Sequence, residues 1–390
     1  MKFAGIDFKN PIVVASSPLT NKIKWLVEAD KHGAAAVSTK LTFIKQPFYG
    51  KLRMSSKRNQ YSLICYDRRL DMDEGLRLVE QGKAQTDLVI FANMTHDSED
   101  LEGWITLARG FENAGADIIE ANFICPNIGL STQNIKGKEG LEKSELGGAV
   151  TGQNPEKVTQ VIKALKQSVK IPVVAKLTPN VSDIGLIARA CEAAGADGVC
   201  LAGGQSALPL VDIFNAGKPD YALLDGVAHS SLGGPACTAM GFSHVAQVYQ
   251  KTGLPIIGGG GLEKADECLM MMMWGATLVT MCTSIMWNGW EVVDKAVAGM
   301  EEILKTINES YTSIIGKSTL YLRSSSKLEA VAGYPVADLS KCTGCGQCAK
   351  PGHCDAIYMD GKKPVISADK CLGCGICAHL CPAKALKMVN

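Results

Sequence analysis

AAGADGVCLAG at residues 193–203 reads as the end of a helix, a glycine suited to the left-handed cap, a small residue, and then a strand apolar on both faces. The same junction recurs as KHGAAAVSTK (31–40), NAGADIIEAN (113–122) and MWGATLVTM (273–281). Its glycines are Gly33, Gly115, Gly195 and Gly275, spaced by 82, 80 and 80 residues, so each interval holds two strand–helix units. The remaining strands are IVVASS (12–17), DLVIFANM (87–94), IPVVAKLT (171–178) and LPIIGGGG (254–261). Helical segments with apolar residues at three-and-four spacing alternate with them, such as NKIKWLVEADKH, DLEGWITLARGFENA, PEKVTQVIKALKQS and DIGLIARACEAA. Short strands that are apolar on both faces and alternate with helices demand a parallel sheet covered by helices. Eight such repeats in residues 1–312 predict an α/β fold, a closed (β/α)8 TIM barrel, with an open flavodoxin-like sheet as the alternative.

The last fifty residues have a different character. Cys342, Cys345, Cys348 and Cys354 make C-x2-C-x2-C-x5-C, and Cys371, Cys374, Cys377 and Cys381, followed by Pro382, make C-x2-C-x2-C-x3-C-P. In two-cluster ferredoxins the fourth cysteine of each run ligates the other cluster. That rule assigns Cys342, Cys345, Cys348 and Cys381 to one [4Fe-4S] centre and Cys371, Cys374, Cys377 and Cys354 to a second. The gap before Cys354 holds Pro351, Gly352 and His353 and exceeds the usual three residues, a departure placed to distort or tune the second centre. A disulfide framework or paired zinc knuckles are the competing readings, disfavoured by the C-x-x-C-x-x-C triplet and the closing C-P. The expected organisation is therefore a barrel at 1–312, a linker at 313–334 and a ferredoxin-like, electron-carrying domain with two [4Fe-4S] clusters at 335–390.

A chain of 390 residues with 46% hydrophobic residues and a formal charge of +1 has room for one large and one small domain. Without a Lys/Arg run or a basic amphipathic helix, neither nucleic acid nor an anionic membrane is an expected partner. The opening MKFAGIDFKNPIVVASS lacks the apolar core of a signal peptide, and Cys65, Cys125, Cys191, Cys200, Cys237, Cys268 and Cys282 show no framework spacing, which together point to a reducing cytoplasm. Cys268 to Trp287 carries no charge over a length that would cross a bilayer. Gly275, Ala276, Thr277 and Ser284 instead divide it into a short apolar helix, ECLMMMMW, and a β-rich run, ATLVTMCTSI.

Barrel chemistry sits at the carboxyl ends of the strands. That nominates Ser16, Ser17, Lys40, Thr42, Asn93, Asn122, Cys125, Lys176, Thr178, Gly203, Gly204, Gly258 to Gly261, and Cys282 to Ser284. In the late strands, GGGG and CTS offer bare backbone N–H groups that would cradle a phosphate, although such a run also serves as a tight turn. Lys40 and Lys176 inside one barrel mouth call for a ligand as partner, and an anionic flavin would be one; either alone reads equally well as a loop lysine.

ANFICPN (121–127), GQNPE (152–156), PVVAKLTPNVSDI (172–184), AGADGV (194–199) and PIIGGGG (255–261) resemble the barrel of dihydroorotate dehydrogenases. With the cysteine-rich tail, the chain resembles the iron-sulfur subunit of dihydropyrimidine dehydrogenases along essentially its whole length. The resemblance implies FMN in the mouth, with Lys40 and Lys176 as flavin lysines, Ala15 and Ser16 as early flavin contacts, and Gly234, Gly260, Gly261, Cys282 and Thr283 around its phosphate. It also implies Asn122 as the substrate amide contact and Cys125 as general acid/base. The chemistry is coherent in its own right, because a thiol over the reacting bond can supply the proton that reduction of a carbonyl-activated C=C bond needs. An isolated cysteine there would instead be structural.

Three stretches depart from the family pattern. Gly203-Gly204 stands where pyrimidine-handling relatives carry Asn-Thr, removing two hydrogen-bonding side chains from the substrate cradle. NMTHDSED after the third strand leaves His96, Asp97 or Ser98 as replacements for an Asn-bearing turn. The segment 128–150, with Lys136, Lys138 and Lys143, is long and reads either as a solvated loop or as a lid over an anionic substrate. The function expected is a cytoplasmic FMN and iron-sulfur oxidoreductase that reduces or forms a carbonyl-activated C=C bond, of dihydropyrimidine dehydrogenase type, with an enone or enoate as the alternative substrate. A non-catalytic electron relay is the reading from another class. No second dinucleotide-binding domain is legible in these residues, so electrons are expected to enter through the tail from an FAD/NAD(P)-binding reductase subunit or a ferredoxin, and the relatives imply a homo-oligomer.

Overall fold

All four junction glycines adopt the left-handed conformation, with φ of +82° at Gly33, +89° at Gly115 and Gly195, and +123° at Gly275. Each ends a helix and turns the chain back toward the sheet, as a residue without Cβ does at little cost. In the computed structural model, residues 1–46, 51–125, 147–221, 223–224 and 226–390 are described, Tyr66 by its backbone alone. They form two units, Met1–Tyr321 and Leu322–Asn390.

The first unit is built on eight strands: β1 (Ile12–Val14), β2 (Ala36–Ser38), β3 (Val89–Met94), β4 (Ile118–Phe123), β5 (Val173–Leu177), β6 (Gly198–Cys200), β7 (Ile256–Gly258) and β8 (Leu278–Met281). Neighbours pair in parallel in chain order, and β8 returns to β1 with Val279 opposite Ile12 and Met281 opposite Val14. The sheet is closed, so the open alternative falls: β1 to β8 form a TIM barrel. Helices α1 (Ile23–Lys31), α2 (Met72–Gln85), α3 (Leu101–Asn113), α4 (Pro155–Ser168), α5 (Ile184–Ala193), α6 (Thr238–Lys251), α7 (Ala265–Met273) and α8 (Glu291–Thr306) follow the strands. Their starts are written in the sequence. Asp100 caps α3, Asn154 followed by Pro155 caps α4, and Asp183 caps α5, each side chain accepting from a first-turn N–H.

Apolar faces of the helices meet the outer face of the barrel in one large core containing Trp104, Leu107, Phe111 and Val161, none of them exposed. A second core fills the amino ends of the strands. There the hairpin of Lys2–Phe3 with Ile6–Asp7 carries Phe3, whose ring lies 6.2 Å from those of Phe8 and Phe91. Gly198 makes room for it, since a Cβ at that position would approach the Phe3 ring to 2.8 Å.

Two connections carry extra structure absent from the sequence-based expectation. Strands Arg53–Lys57 and Tyr61–Tyr66 between β2 and α2 join Ser206–Ala207 and Ser230–Gly233 between β6 and α6 in a four-stranded antiparallel sheet. The 268–287 stretch is partitioned into α7, β8 and a short helix Thr283–Asn288, so the β-rich run ends at Met281 rather than continuing to Ile285. Among the described residues, no helix is long and apolar enough to cross a membrane. Lys136, Lys138 and Lys143 lie outside the described residues.

In the second unit, Tyr334–Ala337 pairs with Leu386–Val389 and Ile357–Asp360 with Lys363–Ile366, both antiparallel. The two cysteine runs share the form C-x-G-C-G-x-C, and all four glycines are left-handed: φ is +70° at Gly344, Gly346 and Gly373 and +74° at Gly375. The tight loops they permit fold each run into a concavity. Cys348, Ile357, Cys377 and Leu386 form the small core between them.

Candidate active site and the cysteine-lined cavities

A cleft of about 1120 Å³, part of it open to solvent, occupies the carboxyl ends of the strands. The extensions of β1, β2, β4, β5, β6 and β8 bring Ala15, Ser16, Lys40, Asn122, Cys125, Lys176, Gly203, Gly204, Cys282 and Thr283 to its wall, with Gly234, Gly260 and Gly261 from the connections around β7. Thr42, Asn93 and Thr178, also nominated at strand ends, are buried and are not part of that wall.

Lys40 and Lys176 are both buried, and each has a protein carboxylate as partner. Lys40 is ion-paired with Asp67, and Lys176 Nζ lies 3.2 Å from Glu120 Oε2. The expectation that only a ligand would account for two lysines here is therefore corrected: burial is compensated within the chain. Glu120 also accepts from Ser38 Oγ and Asn93 Nδ2, which fixes it between β2, β3 and β5. The two lysines differ in their titration. Burial, reinforced by the Arg69 guanidinium and only partly opposed by Asp67, pulls Lys40 down to about 8. For Lys176 burial pulls the same way, but the Glu120 carboxylate outweighs it and the value is raised.

Cys125 follows β4, buried against Leu41 and Phe43, and Arg69 Nη2 donates to its Sγ at 3.6 Å. The turn that presents it is held by Asn122. Asn122 Oδ1 accepts from Ile124 N at 3.0 Å and from Cys125 N at 3.3 Å, while Nδ2 donates to Asn93 Oδ1 at 3.1 Å. Asn122, expected to contact the substrate, lines the cleft with its carbonyl oxygen accepting from the backbone of its own turn. At the opposite end, glycines bring backbone to backbone. A Cβ on Gly261 (φ +85°) would stand 2.0 Å from the Gly234 carbonyl oxygen, and one on Gly260 (φ +117°) 3.2 Å from that of Cys237. Burial pushes the Cys282 thiol up, with Ser17 and both lysines opposing.

Gly203 and Gly204 are more than missing side chains. A Cβ at Gly203 would fall 1.5 Å from Ile124 Cδ1, and one at Gly204 1.8 Å from the Leu232 carbonyl oxygen, so Ile124 and the Ser230–Gly233 strand fill the space. His96, Asp97 and Ser98 do not reach the cleft wall. His96 Nε2 lies 2.8 Å from Asp100 Oδ2 and the Asp97 carbonyl accepts from Trp104 Nε1, so this turn serves the start of α3. The side chains that do reach the wall, Asp67 and Arg69, follow the Tyr61–Tyr66 strand, where no barrel strand ends and strand-end reasoning finds nothing.

In the second unit, one concavity is ringed by Cys342, Cys345, Cys348 and Cys381 and the other by Cys354, Cys371, Cys374 and Cys377. His353, from the lengthened gap, places Nε2 3.6 Å from Cys374 Sγ. Among the described residues, no three His, Cys, Asp or Glu side chains are gathered as a single-ion site.

Residues 364–387 match a 4Fe-4S binding domain. The chain is 26% identical over 359 residues to the NAD-dependent dihydropyrimidine dehydrogenase subunit PreA of Escherichia coli (strain K12), covering 89% of this chain and 83% of that protein. It is 31% identical over 323 residues to the dihydroorotate dehydrogenase B (NAD(+)) catalytic subunit of Methanocaldococcus jannaschii, covering 80% and 95%. The corresponding subunit of Thermoplasma acidophilum is 28% identical over 329 residues, covering 80% and 94%. Since residues 1–304, nearly the whole barrel unit, match the dihydroorotate dehydrogenase family, the chain belongs to that family and is an oxidoreductase acting on CH–CH bonds.

Proposed function

We propose that this protein binds FMN in the barrel mouth and two [4Fe-4S] clusters in its C-terminal unit, and that it reduces, or in reverse forms, a carbonyl-activated C=C bond. The carrying observation is that Lys40, Lys176, Cys125 and the glycines 234, 260 and 261 line one cleft at the carboxyl end of a closed barrel. The donor set suits an anionic flavin. Lys40 and Lys176, each paired with a carboxylate, supply N–H donors to the cleft, Ala15 and Ser16 line it with them, and the glycine backbone with Cys282 and Thr283 supplies N–H groups for a phosphate. Bound there, FMN supplies the two-electron chemistry. Cys125 then holds or accepts the proton at the carbon beside the carbonyl, and Asn122 fixes the turn that aims its sulfur.

Four-and-four ringing of the two concavities favours the crossed ligand sets Cys342, Cys345, Cys348, Cys381 and Cys371, Cys374, Cys377, Cys354. The C-x-x-C-x-x-C triplets and the closing C-P suit clusters better than paired zinc knuckles. Electrons enter through this unit from a separate FAD/NAD(P)-binding subunit or a ferredoxin in the cytoplasm. The likeness to PreA and to dihydroorotate dehydrogenase B subunits supports that division of labour.

Anaerobically purified protein should contain one FMN and about eight iron atoms and eight acid-labile sulfides per chain. Cys125→Ser should cut turnover by about 10²-fold or more with flavin and iron content unchanged. Turnover that survives the substitution would instead make the barrel an electron relay.

A further inference from the structure

Arg68 and Arg69 are adjacent in sequence and face different surroundings. The Arg68 side chain is 44% exposed and pairs with Glu74, whereas that of Arg69 is 11% exposed and lines the cleft. Several bonds fix it there. Arg69 N donates to Gln46 Oε1 at 3.2 Å, Gln46 N donates to Asp71 Oδ1 at 2.7 Å, and Leu70 pairs with Thr42, which ties this segment to the chain that leaves β2. Nη1 donates to the Asp67 carbonyl at 2.7 Å and lies 3.6 Å from the Asp67 carboxylate. Nη2 donates to Cys125 Sγ at 3.6 Å. The guanidinium is thus anchored on one side by Asp67 and applied on the other to the sulfur. Lys40, paired with the same Asp67 carboxylate, is a second cation acting on Cys125. Burial disfavours the Arg69 charge, yet the Cys125 sulfur and Asp67 outweigh it and the guanidinium stays charged.

We propose that Arg69 is a positioning residue for proton transfer, holding the Cys125 sulfur in place and neutralising the negative charge that appears on it when the thiol gives up its proton. This rests on the C=C reading above and deepens it. Cys125 is packed against Leu41 and Phe43, and an anion forming beside apolar side chains needs a fixed cation at hand. In the reducing direction the S–H bond breaks, its electron pair stays on sulfur, and the proton forms a C–H bond at the carbon beside the carbonyl. The hydride that completes the reduction is supplied by the reduced flavin of that reading. In the reverse direction the thiolate takes the proton back, and Arg69 exchanges none.

Alkylation of Cys125 reads this pairing without turnover. The purified full-length protein is treated anaerobically with iodoacetamide at about pH 7, below the Lys40 value of about 8, and the tryptic peptide 110–136, whose single cysteine is Cys125, is followed over time by mass spectrometry. The reagent attacks the thiolate. Arg69→Gln should slow the modification on the order of tenfold, the smaller thiolate fraction being offset in part by the stronger nucleophilicity of what remains. Arg69→Lys, which keeps the charge and loses the planar fork, should recover most of the rate. An unchanged or faster rate in Arg69→Gln overturns the proposal. So does an equal loss in both variants, which would make packing rather than charge the cause, and so does a wild-type Cys125 that resists the reagent. Turnover of Cys125→Ser separates this from the functional reading. Surviving turnover with an Arg69-dependent rate sinks the catalytic role of the barrel and keeps the pair; lost turnover with an Arg69-independent rate does the reverse.

Discussion

Lys176 Nζ and Glu120 Oε2 sit 3.2 Å apart with side chains only 6% and 2% exposed, a salt bridge sealed under the mouth of the barrel. Removing one partner of such a pair leaves the other charge stranded in low dielectric. Glu120→Gln is therefore expected to destabilise the fold by about 3–5 kcal/mol in urea unfolding. The double variant Glu120→Gln, Lys176→Met should recover part of that loss. Additive effects would show that the two residues do not depend on each other.

Lys40 gives a pH signature. Its folded value of about 8 lies below its ordinary 10.5, so between those values the unfolded chain holds more protons than the folded one. Stability contributed by this group consequently rises with pH across that window, and the cost of burying its charge is fully felt below about 8. An anionic occupant of the mouth prefers the charged form. FMN affinity of flavin-depleted protein should then weaken as pH climbs through 8, by at most about tenfold per unit. Lys40→Met should flatten that dependence, as read by fluorescence titration between pH 7 and 9.5.

The crossed ligation proposed for the two cysteine runs is open to a direct test. Cys381→Ser should disturb the centre nucleated by Cys342, Cys345 and Cys348, and Cys354→Ser the one held by Cys371, Cys374 and Cys377. Each variant should lose about four of about eight iron atoms, with complementary losses in the low-temperature EPR spectrum. Uncrossed losses would reverse the assignment.

His353 reaches Cys374 from outside the ligand set, Nε2 to Sγ 3.6 Å. An N–H donor on a ligand sulfur stabilises the more negative, reduced state. His353→Leu should lower the potential of one centre by on the order of 40 mV, the one-electron equivalent of about 1 kcal/mol. Potentiometric EPR should find the other centre unmoved.

The barrel was legible because its signals are local. Four left-handed glycines mark four helix ends, and strands apolar on both faces leave few architectures open. The cysteine-rich tail pointed to a 4Fe-4S domain, which the match over residues 364–387 bears out, and the resemblance drawn from N-x-x-C-P, A-K-L-T-P-N and the tail led to the correct family. What escaped were contacts made by insertions. Asp67 and Arg69 follow a strand whose partner, Ser230–Gly233, is more than 160 residues away, and nothing local announces that pairing. Glu120 is one polar residue in a largely apolar strand and was not nominated, because only the closed barrel brings Lys176, Ser38 and Asn93 around it. Gly203 and Gly204 read as lost side chains, whereas packing by Ile124 and Leu232 shows a remodelled wall.

Phe3, Phe8 and Phe91 stopper the amino end of the barrel. The cleft lined by Lys40, Lys176 and Cys125 lies at the other end of the same strands. Stability and chemistry therefore occupy opposite ends of one barrel, so exchanges on the cleft wall need not loosen the aromatic plug that anchors the strands.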